Sequence, residues 1–147
     1  MRDLSAHFSR EELQCRCCGQ LMIDSLLLDG LEALRALSGV PVVVHAGYRC
    51  ARHNAEVGGV PRSEHTLGMA ADIHLPGMSL QRMYELASSI PQFAEGGIGV
   101  YDGNFLHVDV REHRARWARV KGQYVGIAAL VREPELFAQR AETMHAG

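Results

Sequence analysis

Apolar residues recur with the period of an α-helix in two segments of the chain. Over residues 25–37 the apolar positions are spaced at intervals of three and four, which predicts an amphipathic helix that ends at Gly39. Residues 79–90 show the same periodicity, with Ser79 as the N-cap and Pro91 as the stop. The leucine stripe of the first helix belongs to a hydrophobic core rather than to a cofactor site. Its members are Leu27, Leu28, Leu31, Leu34 and Leu37.

Alternation with a period of two predicts a strand over residues 69–75. Met69, Ala71, Ile73 and Leu75 would share its apolar face. Asp72 and His74 lie on the opposite face, so the Asp72 side chain points away from the core. A β-branched run at residues 42–45 predicts a further strand, which we expect to be buried.

Two more strands are predicted over residues 96–101 and 105–111, joined by a hairpin-like turn at 102–104. The second of these places its apolar side chains on one face. The other face carries Phe105, His107, Asp109 and Arg111. His107 and Asp109 are therefore expected to face the same cleft.

The remaining segments are predicted to form short helices and a loop. Ser9 and Glu12 have the spacing of a capping box at the start of a short helix. Residues 52–57 predict another short helix, and the glycines and proline of residues 58–61 place His65 on a loop or short turn. After a basic stretch that begins near residue 112, residues 133–144 predict a last helix.

Composition limits the class of protein. The chain has 147 residues, 47% hydrophobic and 22% charged, which suits a single soluble domain over residues 1–147. A formal net charge of -2 gives no electrostatic reason to expect binding to nucleic acid. We find neither the apolar core of a secretory signal nor an apolar run of the roughly 20 residues that span a membrane. We therefore expect a monomer that is made in the cytoplasm and does not bind membranes.

Four cysteines, Cys15, Cys17, Cys18 and Cys50, raise the question of a second metal site or a disulfide. Their spacing is not that of two paired CxxC motifs. One zinc bound by all four would need the neighbours Cys17 and Cys18 to act together, which is strained. The sequence favours reduced, half-buried thiols, with a disulfide to Cys50 as the alternative if the protein leaves the cytoplasm.

His65, Asp72 and His107 form a candidate set of ligands for one metal ion. Zinc in a hydrolase is typically held by three protein ligands, and a water takes the fourth position. Asp72 and His107 lie on polar strand faces and His65 on a glycine-bounded loop, so the three side chains could converge. This donor set indicates a metallohydrolase.

Three ordered motifs extend this set. Gly47-Tyr48-Arg49 comes first, a block of the form SxHxxGxAxD covers residues 63–72, and an HxD block covers residues 107–109. In this order the motifs resemble those of the zinc D-Ala-D-Ala carboxypeptidase family, in particular its small single-domain members encoded by bacteriophages and prophages. The resemblance covers about residues 8–117 and leaves residues 118–147 as a C-terminal extension.

The resemblance implies an α+β fold of the kind shared with hedgehog signalling domains, with a small, mainly antiparallel sheet flanked by helices. It places a Zn²⁺ ion in a cleft across the sheet and makes His65, Asp72 and His107 its ligands. Arg49 would bind the substrate carboxylate or stabilise the oxyanion, and Tyr48 would contact substrate beside it. The implied substrate is the peptide stem of peptidoglycan.

The general base is the departure from the family pattern. Relatives carry an acid three residues before the last zinc ligand or a histidine two before it, where this chain has Asn104 and Phe105. Neither residue accepts a proton at neutral pH. Asp109 is the first substitute and Asp102 the second. The alternative for Asp109 is to orient His107 through a hydrogen bond.

Two functions follow from these predictions. The first is a zinc peptidase that cleaves D-amino-acid bonds of peptidoglycan stems, as carboxypeptidase or endopeptidase, released through a membrane lesion as a phage or prophage lysis enzyme. The second is a zinc-containing binding module that has lost turnover. We expect no catalytic role for Glu64 or His74, and we expect Trp117 and Tyr124 to pack the C-terminal segment onto the domain.

Overall fold

The computed structural model describes residues 3–137, and its centre is a six-stranded sheet. The strands are β1 (Val43–Ala46), β2 (Ala70–His74), β3 (Gly97–Tyr101), β4 (Phe105–Asp109), β5 (Ala115–Val120) and β6 (Gln123–Val125). Their order across the sheet is β1-β2-β4-β3-β5-β6. All neighbours are antiparallel except β3 and β5, which are parallel. The predicted α+β fold with a mainly antiparallel sheet is confirmed.

Six α-helices and one 3-10 turn accompany the sheet within the described residues. They are α1 (Arg10–Leu13), α2 (Ser25–Ser38), α3 (Ala51–Glu56), the 3-10 turn Glu64–Leu67, α4 (Leu80–Ser88), α5 (Pro91–Ala94) and α6 (Ala129–Arg132). Gly39 ends α2 in the left-handed conformation at φ 72°, and the Ser79 side chain caps α4. The predicted capping box of Ser9 and Glu12 is present at α1. Pro91 ends α4 by opening a new helix, because proline is favoured at the first helical position.

The hydrophobic core lies between one face of the sheet and helices α2, α4 and α5. Ala71, Ile73, Leu106 and Val108 supply its sheet side, as the alternation predicts, and all four are fully buried. Gly30 on α2 packs on the Phe93 ring so closely that an added Cβ would lie 2.7 Å from it. The polar side chains of β2 and β4 are therefore left on the opposite face of the sheet.

The strand predicted over residues 42–45 exists, but its expected burial is wrong. It is an edge strand that pairs only with β2 among the described residues, and His45 is exposed. Val43 and Val44 are half-buried, and Val42 just before the strand reaches the core. An edge position leaves one side of a strand open to solvent, which the β-branched composition alone does not reveal.

Strands β5 and β6 were not predicted. Within β5, Ala118 and Val120 are buried and alternate with Trp117 and Arg119 on the other face, so a period of two is present. The sheet thus continues beyond residue 117, and Leu130 and Phe137 join the same core. Most of the helix predicted over residues 133–144 lies outside the described residues. None of the helices in residues 3–137 has the length and apolarity needed to span a bilayer.

Candidate metal centre

A cleft of about 480 Å³ opens on the face of the sheet opposite the helices. Its floor follows one row of residues that face each other across four strands. Asp72 on β2 is opposite His107 on β4, His107 is opposite Gly99 on β3, and Gly99 is opposite Trp117 on β5. Gly99 has no side chain, so the rings of His107 and Trp117 approach to 5.1 Å between centroids. The pairing of strands therefore brings together residues that are up to 45 positions apart.

His65, Asp72 and His107 meet in this cleft. Asp72 Oδ1 lies 3.2 Å from His65 Nε2 and 3.2 Å from His107 Nδ1. Ligand atoms of a tetrahedral zinc with Zn–N and Zn–O distances of about 2.0–2.2 Å would stand about 3.3 Å apart. The two nitrogens and one carboxylate oxygen are thus both the right atom types and at a suitable separation for one zinc ion.

His65 is held in a defined tautomer. It lies in the 3-10 turn, is almost fully buried, and its Nδ1 is 2.8 Å from the carbonyl oxygen of Gly47. A carbonyl oxygen can only accept, so Nδ1 carries the proton and Nε2 keeps a lone pair towards Asp72. The Gly47 carbonyl therefore presents His65 as a ligand through Nε2.

His107 is oriented by carboxylates on both sides of its ring. Its Nδ1 faces Asp72, and its Nε2 lies 2.7 Å from Asp109 Oδ2. Burial opposes charge on this ring, but the hydrogen bonds to Asp109 and Asp72 outweigh it and raise the pKa of His107 to about 9. Burial likewise opposes ionisation of Asp72, and its hydrogen bonds to His107 and His65 hold its pKa below the usual range.

Asp109, the first substitute for the general base, is buried beside His107 and does not lie on the cleft wall. Its Oδ2 faces His107, while the Arg111 guanidinium donates to both oxygens at 2.7–3.1 Å. The amides of Gly97 and Arg111 complete the shell around Oδ1. Burial is again outweighed, here by His107 and Arg111, so the pKa of Asp109 is lowered.

Asp102, the second substitute, is also absent from the cleft wall. It follows β3, is almost fully buried, and its Oδ2 accepts a hydrogen bond of 2.9 Å from the amide of Lys121. This contact ties the β3–β4 turn to the β5–β6 turn. The strand pattern predicts on which face of the sheet a side chain lies, but not how deeply it is buried. The carboxylates of Asp109 and Asp102 both lie within the protein rather than in the cleft.

Arg49 lines the cleft, whereas Tyr48 does not. The Arg49 amide donates to the His65 carbonyl at 3.1 Å, which fixes the arginine beside the ligand set. Its Nε is buried and makes no hydrogen bond within the described residues. Burial lowers the pKa of Arg49, with the nearby Asp72 charge opposing that effect. The contact of Tyr48 with substrate stays a prediction, since Tyr48 is not among the residues of the cleft wall.

Several cleft residues were missed in the sequence. Trp117 forms a wall rather than only packing the C-terminal segment: its Nε1 donates to Tyr101 Oη at 3.0 Å, and the Arg111 guanidinium lies over its ring. Tyr124, 62% exposed, lines the cleft with Arg119 over its ring. The period of two in β5 could have revealed Trp117, but the two arginines of the strand obscured the pattern.

Glu64 also lies in the cleft, with a half-buried carboxylate 3.5 Å from an Arg111 nitrogen. From the sequence we expected no catalytic role for Glu64. Glu64 opens the 3-10 turn Glu64–Leu67 and directly precedes His65 in the chain. Asp72 and Glu64 are thus the acidic residues that line the cleft within residues 3–137.

Comparison with known proteins places the chain in a family. The family model described as Peptidase M15 matches residues 6–109. The peptidoglycan L,D-endopeptidase MepK of Escherichia coli strain K12 is 37% identical over 95 residues, which cover 59% of this chain and 50% of that protein. The MepK proteins of Escherichia coli O157:H7 and Shigella flexneri match to the same extent. The chain spans about half the length of the curated relatives it matches. The chain belongs to the peptidase M15 family, which the resemblance to zinc D-Ala-D-Ala carboxypeptidases indicated.

Proposed function

We propose that this chain is a zinc-dependent peptidase that hydrolyses a bond next to a D-amino acid in the stem peptides of peptidoglycan. The observation that carries the proposal is the convergence of His65, Asp72 and His107 in a cleft that also contains Arg49. The name of the MepK relatives favours an endopeptidase over a carboxypeptidase. The phage or prophage setting stays a prediction.

Zinc bound by His65, Asp72 and His107 would supply a Lewis acid for the scissile carbonyl and lower the pKa of a water. Around it the chain supplies fixed groups. Asp109 holds the His107 ring so that Nδ1 faces the ligand position, and Gly47 does the same for His65 Nε2. Because these contacts are buried, the ligand geometry is set before substrate arrives.

Arg49 is the group suited to stabilise negative charge. Its guanidinium is on the cleft wall beside the ligands, and its buried Nε has no protein partner among the described residues. A fixed cation without a competing partner can bind an oxyanion or a stem carboxylate without first breaking an ion pair. We assign Arg49 this role.

Glu64 is the group suited to accept the proton of the attacking water. It shares the cleft with the three ligands, and apart from Asp72 it is the acid found on the described cleft wall. Its ion pair with Arg111 is long, at 3.5 Å, and leaves the carboxylate half-buried. Carboxylates in such surroundings act as general bases at neutral pH.

Purified peptidoglycan fragments test the proposal. Zinc-loaded protein is incubated with cross-linked and uncross-linked stems, and the products are identified by mass. Separation of cross-linked stems supports an endopeptidase, whereas release of free D-Ala alone supports a carboxypeptidase. Asp72→Ala should abolish either activity, and His45→Ala, which alters an exposed residue outside the cleft, should retain it. The absence of cleavage in any stem by zinc-replete protein would refute the enzyme.

One observation favours a second function, a zinc-containing binding module. The position three residues before His107 holds Asn104, which lies in a tight turn at φ 63°, and neither Asp109 nor Asp102 reaches the cleft. Binding of stems to the zinc-loaded protein without any turnover would identify this module. The same digest and a binding measurement therefore separate the two functions.

A further inference from the structure

The four cysteines lie together, whereas the sequence favoured reduced, half-buried thiols without a common site. Cys15, Cys17 and Cys18 follow α1, and Cys50 is the N-cap of α3. Cys15 Sγ is 3.6 Å from Cys17 Sγ, which is 3.4 Å from Cys50 Sγ, and all four sulfurs lie within 4.8 Å of one another. All four are free cysteines. Folding has thus brought a donor from residue 50 to a loop that is more than 30 residues away.

Their spacing matches a tetrahedral metal site. Four sulfurs at about 2.3 Å from one zinc ion would stand about 3.8 Å apart. The measured separations of 3.4 and 3.6 Å, and the upper limit of 4.8 Å, lie around this value. We propose that Cys15, Cys17, Cys18 and Cys50 bind a second zinc ion, which is structural and has four thiolate ligands.

The local backbone explains how neighbouring cysteines can both contribute. The Cys15 amide donates to Gln20 O at 2.7 Å, and the Gly19 amide donates to Cys15 O at 2.9 Å. Gly19 is in the left-handed conformation at φ 72°, so the chain folds back directly after Cys18. Cys15 and Cys18 therefore form a C-x-x-C pair followed by glycine, a spacing used in zinc sites. Cys17 and Cys18 thus lie in a folded turn rather than in an extended segment.

Donor groups lie near three of the four sulfurs. The Cys50 amide lies 3.4 Å from Cys15 Sγ, and the His53 amide lies 3.4 Å from Cys50 Sγ. The Arg52 guanidinium is 3.9 Å from Cys17 Sγ. A zinc ion with four thiolates carries a net charge of −2, which amide donors and a nearby cation offset. No carboxylate belongs to the cluster, so the donor set is soft and suits zinc rather than calcium or magnesium.

Zinc bound by the four cysteines would also stabilise the candidate metal site in the cleft. Residues 47–50 connect them: Gly47 accepts the hydrogen bond of His65, Arg49 lines the cleft, and Cys50 belongs to the sulfur cluster. Gly47 is packed so closely on the backbone of Leu13 that an added Cβ would lie 2.6 Å from its oxygen. Zinc bound by the cysteines would join the segment after α1 to this run and so fix the position of the Gly47 carbonyl.

Metal content and zinc X-ray absorption of protein purified under reducing conditions test the proposal. The wild type should hold about two zinc ions. Asp72→Ala, which removes a cleft ligand, should keep about one, surrounded by four sulfurs at about 2.3 Å. The double variant Cys17→Ser/Cys50→Ser should keep about one, with nitrogen and oxygen ligands at about 2.0–2.2 Å. His45→Ala controls for the loss of an exposed histidine and should keep two.

The result for Asp72→Ala decides the question even if the cysteine variant does not fold. Zinc-free Asp72→Ala protein, or zinc in it with fewer than four sulfur ligands, would overturn the proposal. This outcome is separate from the peptidase assay, because stems are not involved. A chain that cleaves no stem could still hold zinc in the cysteine site, and an active peptidase could lack it.

Discussion

Replacing Asp109 by asparagine should weaken zinc binding in the cleft. The carboxylate now accepts hydrogen bonds from the His107 ring, the Arg111 guanidinium and two backbone amides. An asparagine has one acceptor oxygen, and its NH₂ group must face either His107 Nε2 or the donors around Oδ1. When His107 Nδ1 faces the candidate metal position, His107 Nε2 carries the proton and donates, as the Arg111 guanidinium and the two backbone amides do. In either orientation the asparagine NH₂ group therefore faces another donor. The imidazole would lose its alignment or its tautomer.

The size of the effect follows from the type of contact. Removal of a buried partner that orients a metal-bound histidine typically lowers metal affinity about 10- to 100-fold. At about 1.4 kcal/mol per tenfold change, this corresponds to about 1.4–2.8 kcal/mol of zinc-binding free energy. A general base would behave differently, because its loss lowers kcat about 10²- to 10⁴-fold and leaves the ligands intact.

Competition with a zinc chelator measures the affinity, and kcat is measured at saturating zinc. Asp109→Asn should show the weaker affinity, with most of its activity restored by excess zinc. Asp102→Asn is the matched control, since it also alters a buried acid but one whose described contact is with the Lys121 amide. It should retain the wild-type zinc affinity. Unchanged affinity of Asp109→Asn together with a 100-fold or larger loss of kcat at saturating zinc would refute the positioning role.

Three further predictions concern the same cleft. Glu64→Gln should lower kcat about 10²- to 10⁴-fold while zinc content is unchanged, and a kcat within twofold of wild type would exclude it as the base. Gly99→Ala should disturb the indole of Trp117, because a Cβ there would lie 2.3 Å from its Nε1; fluorescence of this single tryptophan and a raised KM would report the change. In metal-free protein, proton NMR should show His107 titrating near pH 9, well above the usual pKa of a histidine, because Asp109 and Asp72 accept hydrogen bonds from its ring. Since folding raises this pKa, the stabilisation is complete below about pH 6.5 and is lost as the pH rises through 9; a midpoint near 6.5 would contradict the described hydrogen bonds.

The sequence predicted the ligand set because strand alternation is a local property. Asp72 and His107 each lie on a polar face, and pairing of β2 with β4 places them directly opposite each other. The position of His65 was predicted from the glycine-bounded loop that precedes it. The ligand set could thus be read from three short segments, whereas the partners that hold the ligands required the three-dimensional structure.

The residues that alternation could not resolve are those whose role depends on depth or on distant contacts. Asp109 shares the face of His107, but its carboxylate is turned under the ring towards Arg111, and nothing in a period of two distinguishes these positions. Strand β5 pairs in parallel with β3, and parallel strands are not joined by the short turn that identifies a hairpin in a sequence. Cys50 lies beside the other cysteines because segments distant in the sequence meet there, as they do where Gly47 packs against Leu13.

The cleft is built from two stretches of chain that can vary separately. The family match ends at Asp109, so all three candidate metal ligands lie inside it, while Trp117, Arg119 and Tyr124 lie beyond it on β5 and β6. Wall residues such as Arg119 and Tyr124 can therefore be exchanged while all three candidate ligands are kept. For the proposed peptidase, such exchanges offer a route to new substrate preferences.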